Sequence, residues 1–174
     1  DPTKGIQYGK QALEFSKSIQ WHDGIAKSLL VIGQNNYNIG EIDAAKKNYL
    51  QGLNETQNQS IVATLYKSIG ALHTSNADYA NGLAYHFKSL KVSTAIQNEV
   101  GMADAYYSIG TVYHYMEDTE KSLSNFKKSL SIYTKLNQKA GICASFRAIA
   151  AVYMFLNRHQ EAMSYLEKSL KIAK

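Results

Sequence analysis

Self-similarity at a fixed interval constrains this chain more than any single motif. The run Tyr66-Lys67-Ser68-Ile69-Gly70 returns 40 residues later as Tyr106-Tyr107-Ser108-Ile109-Gly110. The triplet Lys-Ser-Leu closes at Leu90, Leu130 and Leu170, again 40 residues apart. The small residues Gly33, Gly70, Gly110 and Ala150 are spaced by 37, 40 and 40, and each precedes a leucine (Leu53, Leu90, Leu130, Leu170) by 20. Four matches at one offset imply repeated supersecondary units, each too small to bury its apolar face without its neighbours.

The pattern inside a unit is helical. Ala105, Tyr106, Ile109, Val112 and Tyr113 recur at steps of three and four, the period of a one-sided helix. Met116-Glu117-Asp118-Thr119 interrupts it, with Asp118 placed to cap a second helix whose stripe is Leu123, Phe126, Leu130 and Tyr133. Gly40, Asn76–Asp78 and Asn157 mark turns inside hairpins, and Asn58–Ser60, Asn98–Gly101 and Asn137–Gly141 mark joints between them. The only proline is Pro2, so nothing inside the chain forbids helix. The class is therefore all-α, as one domain of units at 21–59, 60–99, 100–139 and 140–174. Leu13 stands 20 residues before Gly33, so residues 1–20 read as the second helix of an earlier unit and the sequence as starting in mid-repeat.

Those landmarks resemble the tetratricopeptide repeat over nearly the whole chain. The third unit matches its signature with Tyr106, Ile109, Gly110 and Tyr113, then Ser122, Phe126 and Ser129; the fourth has Phe146, Ile149, Ala150 and Tyr153, then Ala162, Leu166 and Ser169. The 40-residue period and the missing closing proline depart from the usual repeat of about 34 and are similar to a subclass found in bacterial regulatory proteins, in kinesin light chains and in mitotic-spindle adaptors. The resemblance implies a right-handed superhelical solenoid of antiparallel helix hairpins. Glycine costs about 1 kcal/mol in a helix interior, so Gly33, Gly70 and Gly110 are expected to permit close helix contact, facing Ala45, Gly82 and Ser122.

The family's concave groove, carried onto this chain, falls on Lys27, Leu30, Gln34, Tyr37 and Asn38; on Thr64, Lys67, Ala71, Thr74 and Ser75; on Asp104, Tyr107, Thr111, His114 and Tyr115; and on Ala144, Arg147, Ala151, Met154 and Phe155. The resemblance implies an extended or helical peptide there. Its carboxylate would lie near Lys67 or Arg147, and its apolar side chains against Tyr107, Tyr115 and Phe155. Packing between adjacent first helices accounts for the same aromatics equally well. The lysine and asparagine clamp by which some family members hold a C-terminal carboxylate is replaced by Leu30, Gln34, Ser68, Asp104 and Ser108, so a receptor for chaperone tails is not expected.

Composition narrows the chemistry. No phosphate-loop, dinucleotide or zinc-protease pattern occurs, and the five histidines do not fall at metal-ligand spacing with one another or with Cys143, the single cysteine. His73 and His86 occupy framework positions, where packing with a hydrogen bond is expected. No catalytic residue, metal or cofactor is expected, and the chain does not read as an enzyme. The formal charge of +5 suits an acidic partner, but no dense basic stripe or nucleic-acid motif is present, and no apolar run of about 18 residues could span a bilayer.

The leading expectation is a protein- or peptide-binding module, the sensory or regulatory part of a larger bacterial signalling protein in the cytoplasm; a periplasmic sensor arm is the alternative setting. Two other functions stay open: a scaffold that self-associates through its last helix, where Met163, Leu166, Leu170 and Ile172 are apolar, and a receptor for a small molecule or signalling peptide.

Overall fold

The computed structural model describes residues 1–173. Those residues form nine α-helices and no strand: α1 (Pro2–Ser18), α2 (His22–Asn38), α3 (Ile42–Glu55), α4 (Gln59–Ser75), α5 (Tyr79–Ala95), α6 (Glu99–Tyr115), α7 (Thr119–Lys135), α8 (Lys139–Phe155) and α9 (His159–Ala173). The C-terminal end of the expected last helix, Lys174, lies outside the described residues. Two compact units are present, Asp1–Ile96 and the segment from Gln97 onward. In the first, α2 packs on α3 and α4. In the second, α6 packs in the same way on α7 and α8.

A three-residue joint between 17-residue helices explains the 20-residue half-period. Gln20, Gly40, Ala77, Gln97, Glu117, Asn137 and Asn157 all have left-handed backbone, with φ from 53° to 84°. At Glu117 the N–H donates to the His114 carbonyl at 3.1 Å, and the next N–H, of Asp118, donates to the Tyr113 carbonyl at 2.9 Å. This closes the helix by a double return bond, so the last carbonyls are satisfied. Asp118 then starts the next helix, its carboxylate accepting from the Lys121 N–H at 3.1 Å. Ala77 and Asp78 repeat the arrangement, with Asp78 accepting from the Asn81 N–H at 3.3 Å.

The unit that is three residues short shows where the deletion fell. Helix α3 has 14 residues where α4 to α8 have 17 each. It ends at Thr56 in extended backbone, with no left-handed residue between α3 and α4. A polar knot takes over. The Thr56 hydroxyl and the Asn58 amide both donate to the Asp23 carboxylate, the latter at 2.9 Å, tying the start of α2 to the α3–α4 joint. Those two donors hold the Asp23 carboxyl below its ordinary value.

The cores form where the sequence stripes converge. Tyr49, Leu65 and Ile69 lie at the centre of one cluster in the first unit, and Phe126, Ile149 and Val152 at the centre of another in the second. Gly33, Gly70 and Gly110 do sit at close approaches, although the expected facing residues account for only part of each contact. A Cβ at these positions would lie 2.5 Å from Tyr49, 2.7 Å from His86 and 2.8 Å from Phe126. A ring from the second helix lies over each glycine, while the small residue meets the backbone beside it: Ser122 Oγ donates to the Gly110 carbonyl at 2.9 Å. The lysine of the repeated triplet also has a structural place, with Lys88 over Tyr85, Lys128 over Tyr106 and Lys168 over Tyr165.

Candidate functional site

In the first unit the predicted residues divide between packing and surface. Leu30 and Tyr37 are half-buried against the Tyr49 cluster. Lys27 is exposed, its ammonium 5.8 Å from the Trp21 ring centroid, and it borders a hollow between α1 and α2. Gln34 is exposed and donates to Asn38 at 3.4 Å. On α4, Thr74 Oγ1 donates to the Gly70 carbonyl at 2.8 Å and lies 3.5 Å from His86 Nε2. Lys67 is half-buried and close enough to His86 to disfavour its protonation.

His73 and His86 differ from each other. His73 Nδ1 pairs with the Asp78 carboxylate at 2.9 Å and its ring stacks on Tyr85, a packing role completed by a hydrogen bond. His86 is fully buried and its Nδ1 has no hydrogen-bond partner. Burial first, and the Lys67 charge second, push His86 down to about 4. The expected hydrogen bond is thus reduced to the 3.5 Å approach of Nε2 to Thr74 Oγ1, since His86 occupies the ring position over the glycine that Tyr49 and Phe126 fill in other hairpins.

The second unit gathers more of the predicted surface. His114 lies at the C-terminal end of α6 with its ring edge-on to Phe155 of α8 at 6.0 Å and 6.2 Å from Tyr115. Its Nδ1 is buried without a partner. Tyr115, Met154 and Phe155 are each about half exposed, at 56%, 52% and 50%. Met116 and Leu156, the cap residues of α6 and α8, extend this apolar patch. They were not among the predicted positions. The signal was present, since an apolar residue precedes the left-handed one at Ile19, Ile39, Ile96, Met116, Leu136 and Leu156.

The other predicted residues of this unit are committed elsewhere. Asp104 accepts a hydrogen bond from the Tyr133 hydroxyl. Burial, then Asp104, raises the Tyr133 phenol well above its usual value. Tyr107 packs 5.4 Å from Phe126, and the Thr111 hydroxyl donates to the Tyr107 carbonyl at 3.0 Å. Arg147 is exposed on a hollow of about 350 Å³ between α8 and α9, beside Lys139, Cys143 and Ile172. Among the described residues no three His, Cys, Asp or Glu side chains converge as a metal site would need, and no helix is long and apolar enough to cross a membrane.

A tetratricopeptide repeat profile matches residues 61–135 and 101–174, and the chain belongs to that family. Solved structures share the fold at low identity. A Rap protein complexed with Competence and Sporulation Factor superposes with a TM-score of 0.86 at 16% identity, over 97% of this chain and 48% of its own. BtubC (BKLC) from P. vanneervenii gives 0.83 at 14% identity, over 99% and 73%. MamA gives 0.64 at 21% identity, over 97% and 86%. No curated protein matches by sequence.

Proposed function

We propose that this chain is a non-catalytic module that binds a protein or peptide segment, with the main contact on the α6–α8 surface of the second unit. The observation that carries this reading is the patch of Tyr115, Met154 and Phe155 around His114. Half-exposed aromatic and methionine side chains on rigid helices match the residue types that dominate binding energy at interfaces, and their methionines adapt to varied apolar partners. Arg147 and the net charge of +5 favour an acidic segment. The family supports a binding role, and the likeness to a Rap protein that carries a bound factor supports placing this chain in bacterial regulation; it spans about half of that Rap chain.

A peptide library displayed on phage and panned against the purified chain tests this. Selected sequences should carry apolar and acidic residues and should bind the Phe155→Ser and Tyr115→Ser variants at least about tenfold more weakly, the loss typical of a hot-spot residue. Undiminished binding to both variants refutes the reading. A second reading, self-association, is favoured by the exposure of Met163 (57%), Leu166 (42%) and Leu170 (58%) on α9. Sedimentation equilibrium of the wild type and of Leu170→Glu decides it: a mass above that of one chain, lowered by the substitution, is its signature.

A further inference from the structure

We infer that the outer face of α3 and α5 in the first unit docks on an anionic lipid surface, with Leu50 and Phe87 entering the headgroup layer and the lysines beside them meeting its charge. In this unit α2 and α4 pack on each other, and α3 and α5 each pack on α4. Among the described residues α3 and α5 do not touch one another. The first helices therefore line the inner side, and the second helices stand apart on the outer side. Neither α3 nor α5 is at an end of the array, so their outer face is not one that a further repeat would cover.

One position marks the centre of that outer face. On α5 the exposed stripe runs Ala80, Ala84, Phe87, Lys91, at steps of four and three. The same places on α3 are Asp43, Lys47, Leu50 and Asn54, all exposed. Across the repeat the third place reads Lys10, Leu50, Phe87, Lys127 and Glu167. It is charged in α1, α7 and α9, as a solvated surface requires, and apolar in α3 and α5. Packing within the repeat therefore does not call for an apolar residue there. Leu50 is nevertheless 39% exposed and Phe87 46%. Single exposed apolar residues are ordinary; a matched pair at the outermost place of successive repeats marks a surface with a use.

Charge selects the partner. The five second helices carry thirteen lysines, no arginine and six acids, whereas the four first helices carry four cations and three acids. The basic excess thus belongs to the second helices. Around the apolar pair, Lys46, Lys47, Lys88 and Lys91 are exposed. Helix α5 has no acid, and Asp43 is the one exposed acid within the two helices. Lysine is a mobile point charge that suits a diffuse anionic layer, whereas the fork of arginine suits a single carboxylate or phosphate. A rigid protein partner would need a facing surface of about 800 Å². Two exposed side chains offer little of that area. A headgroup layer closes around them, as it does around the apolar residues of an interfacial helix flanked by lysines.

Cosedimentation of the full chain with lipid vesicles tests this. The chain should pellet with vesicles that contain about one-third phosphatidylglycerol and stay in solution with pure phosphatidylcholine. The bound fraction should fall as salt rises, since charges are screened beyond about 8 Å near 0.15 M. Phe87→Ser and Leu50→Ser, both at exposed positions, should each weaken binding at least about fivefold with unchanged circular dichroism. Lys47→Gln and Lys91→Gln should each cost about fivefold, the loss expected for one lysine at an anionic surface. Lys127→Gln, at the matching place on α7, should cost less than about twofold, because no apolar anchor holds that place at the surface. No pelleting with the anionic vesicles at low salt overturns the proposal. So does binding unaffected by both serine variants, or reduced as much by Lys127→Gln as by Lys91→Gln, either of which assigns it to net charge alone. A sedimentation mass above that of one chain without lipid, lowered by Phe87→Ser, assigns the face to a second copy and overturns the lipid surface. Release from the vesicles by double-stranded DNA that binds the Phe87→Ser variant equally well assigns the lysines to nucleic acid and also overturns it.

Discussion

The α4–α5 and α6–α7 hairpins are the same sentence written with one word changed. Both carry Tyr-X-Ser-Ile-Gly on the first helix and Lys-Ser-Leu on the second, both close through a left-handed residue, and both start the second helix on a capping aspartate. They differ in the ring laid over the central glycine. Phe126 covers Gly110, and His86 covers Gly70. The two rings are almost equally buried, at 2% exposure each. Phe126 joins an apolar cluster; His86 brings two ring nitrogens into a place that satisfies neither well. These two hairpins therefore accept a flat ring of either polarity over the glycine, while the fourth unit has Leu166 at the same position. The polar choice has an energetic cost, because a buried polar group without a full partner loses its hydration.

Moving the histidine across gives the largest expected effect. Phe126→His removes packing against Ile149 and Val152 and buries an unpartnered imidazole, at a cost of about 3 kcal/mol. The reciprocal His86→Phe should stabilise the first unit by about 1 kcal/mol, the sign expected when an unsatisfied group is replaced by an apolar one of similar shape. Calorimetry of both variants checks the pair. Equal and small effects of the two swaps would mean that ring polarity is irrelevant at this position and that the comparison fails.

Acid sharpens the same contrast. The folded-state value of His86 is held down at about 4, from an ordinary 6.5. Above pH 6.5 the group is neutral in folded and unfolded chains and contributes no pH dependence. Between 6.5 and 4 the unfolded chain binds the proton and the folded one does not, so stability falls as pH falls, by about 3 kcal/mol in all. Phe126 has no such linkage. Urea unfolding at pH 7 and pH 4.5 should show this loss in the wild type, and His86→Phe should remove it while leaving the contribution of the carboxylates.

The spacing made the helices, the hairpins and the positions of close approach legible, because these depend on periodicity and turn chemistry alone. Asp118 as a cap followed from the break at Met116–Thr119, and Gly110 as a contact point from its place opposite the second helix. Which residue would lie over Gly110 was not legible: that depends on the angle at which α6 and α7 cross, and spacing does not encode a crossing angle. The site was less readable for a related reason. A first helix touches its own partner, the next first helix and solvent, so a position such as Tyr107 or Leu30 can belong to core or surface with no change in period. Asp104 illustrates the difficulty, since its neighbour Tyr133 lies 29 residues away and on another helix. The 37-residue spacing did reveal that three residues were missing, but it could not show that Asp23, Thr56 and Asn58 would replace the lost turn.

The joints supply the smallest test, and one that isolates backbone from side chain. Ala77 and Asn137 hold the same left-handed conformation, with φ of 59° and 53°. Alanine is disfavoured there by its Cβ, whereas asparagine tolerates the region through its short polar side chain. Glycine removes the strain in both cases but adds freedom to the unfolded chain. Ala77→Gly should therefore gain about 0.5 kcal/mol net, and Asn137→Gly should change stability by less than about 0.3 kcal/mol or lower it slightly. Thermal midpoints measured side by side resolve that difference. A gain at Asn137 as large as that at Ala77 would show that the joints are set by glycine-like backbone demand alone, with no help from the asparagine side chain, and the turn signal that Asn137 and Asn157 give in the sequence would then need another cause.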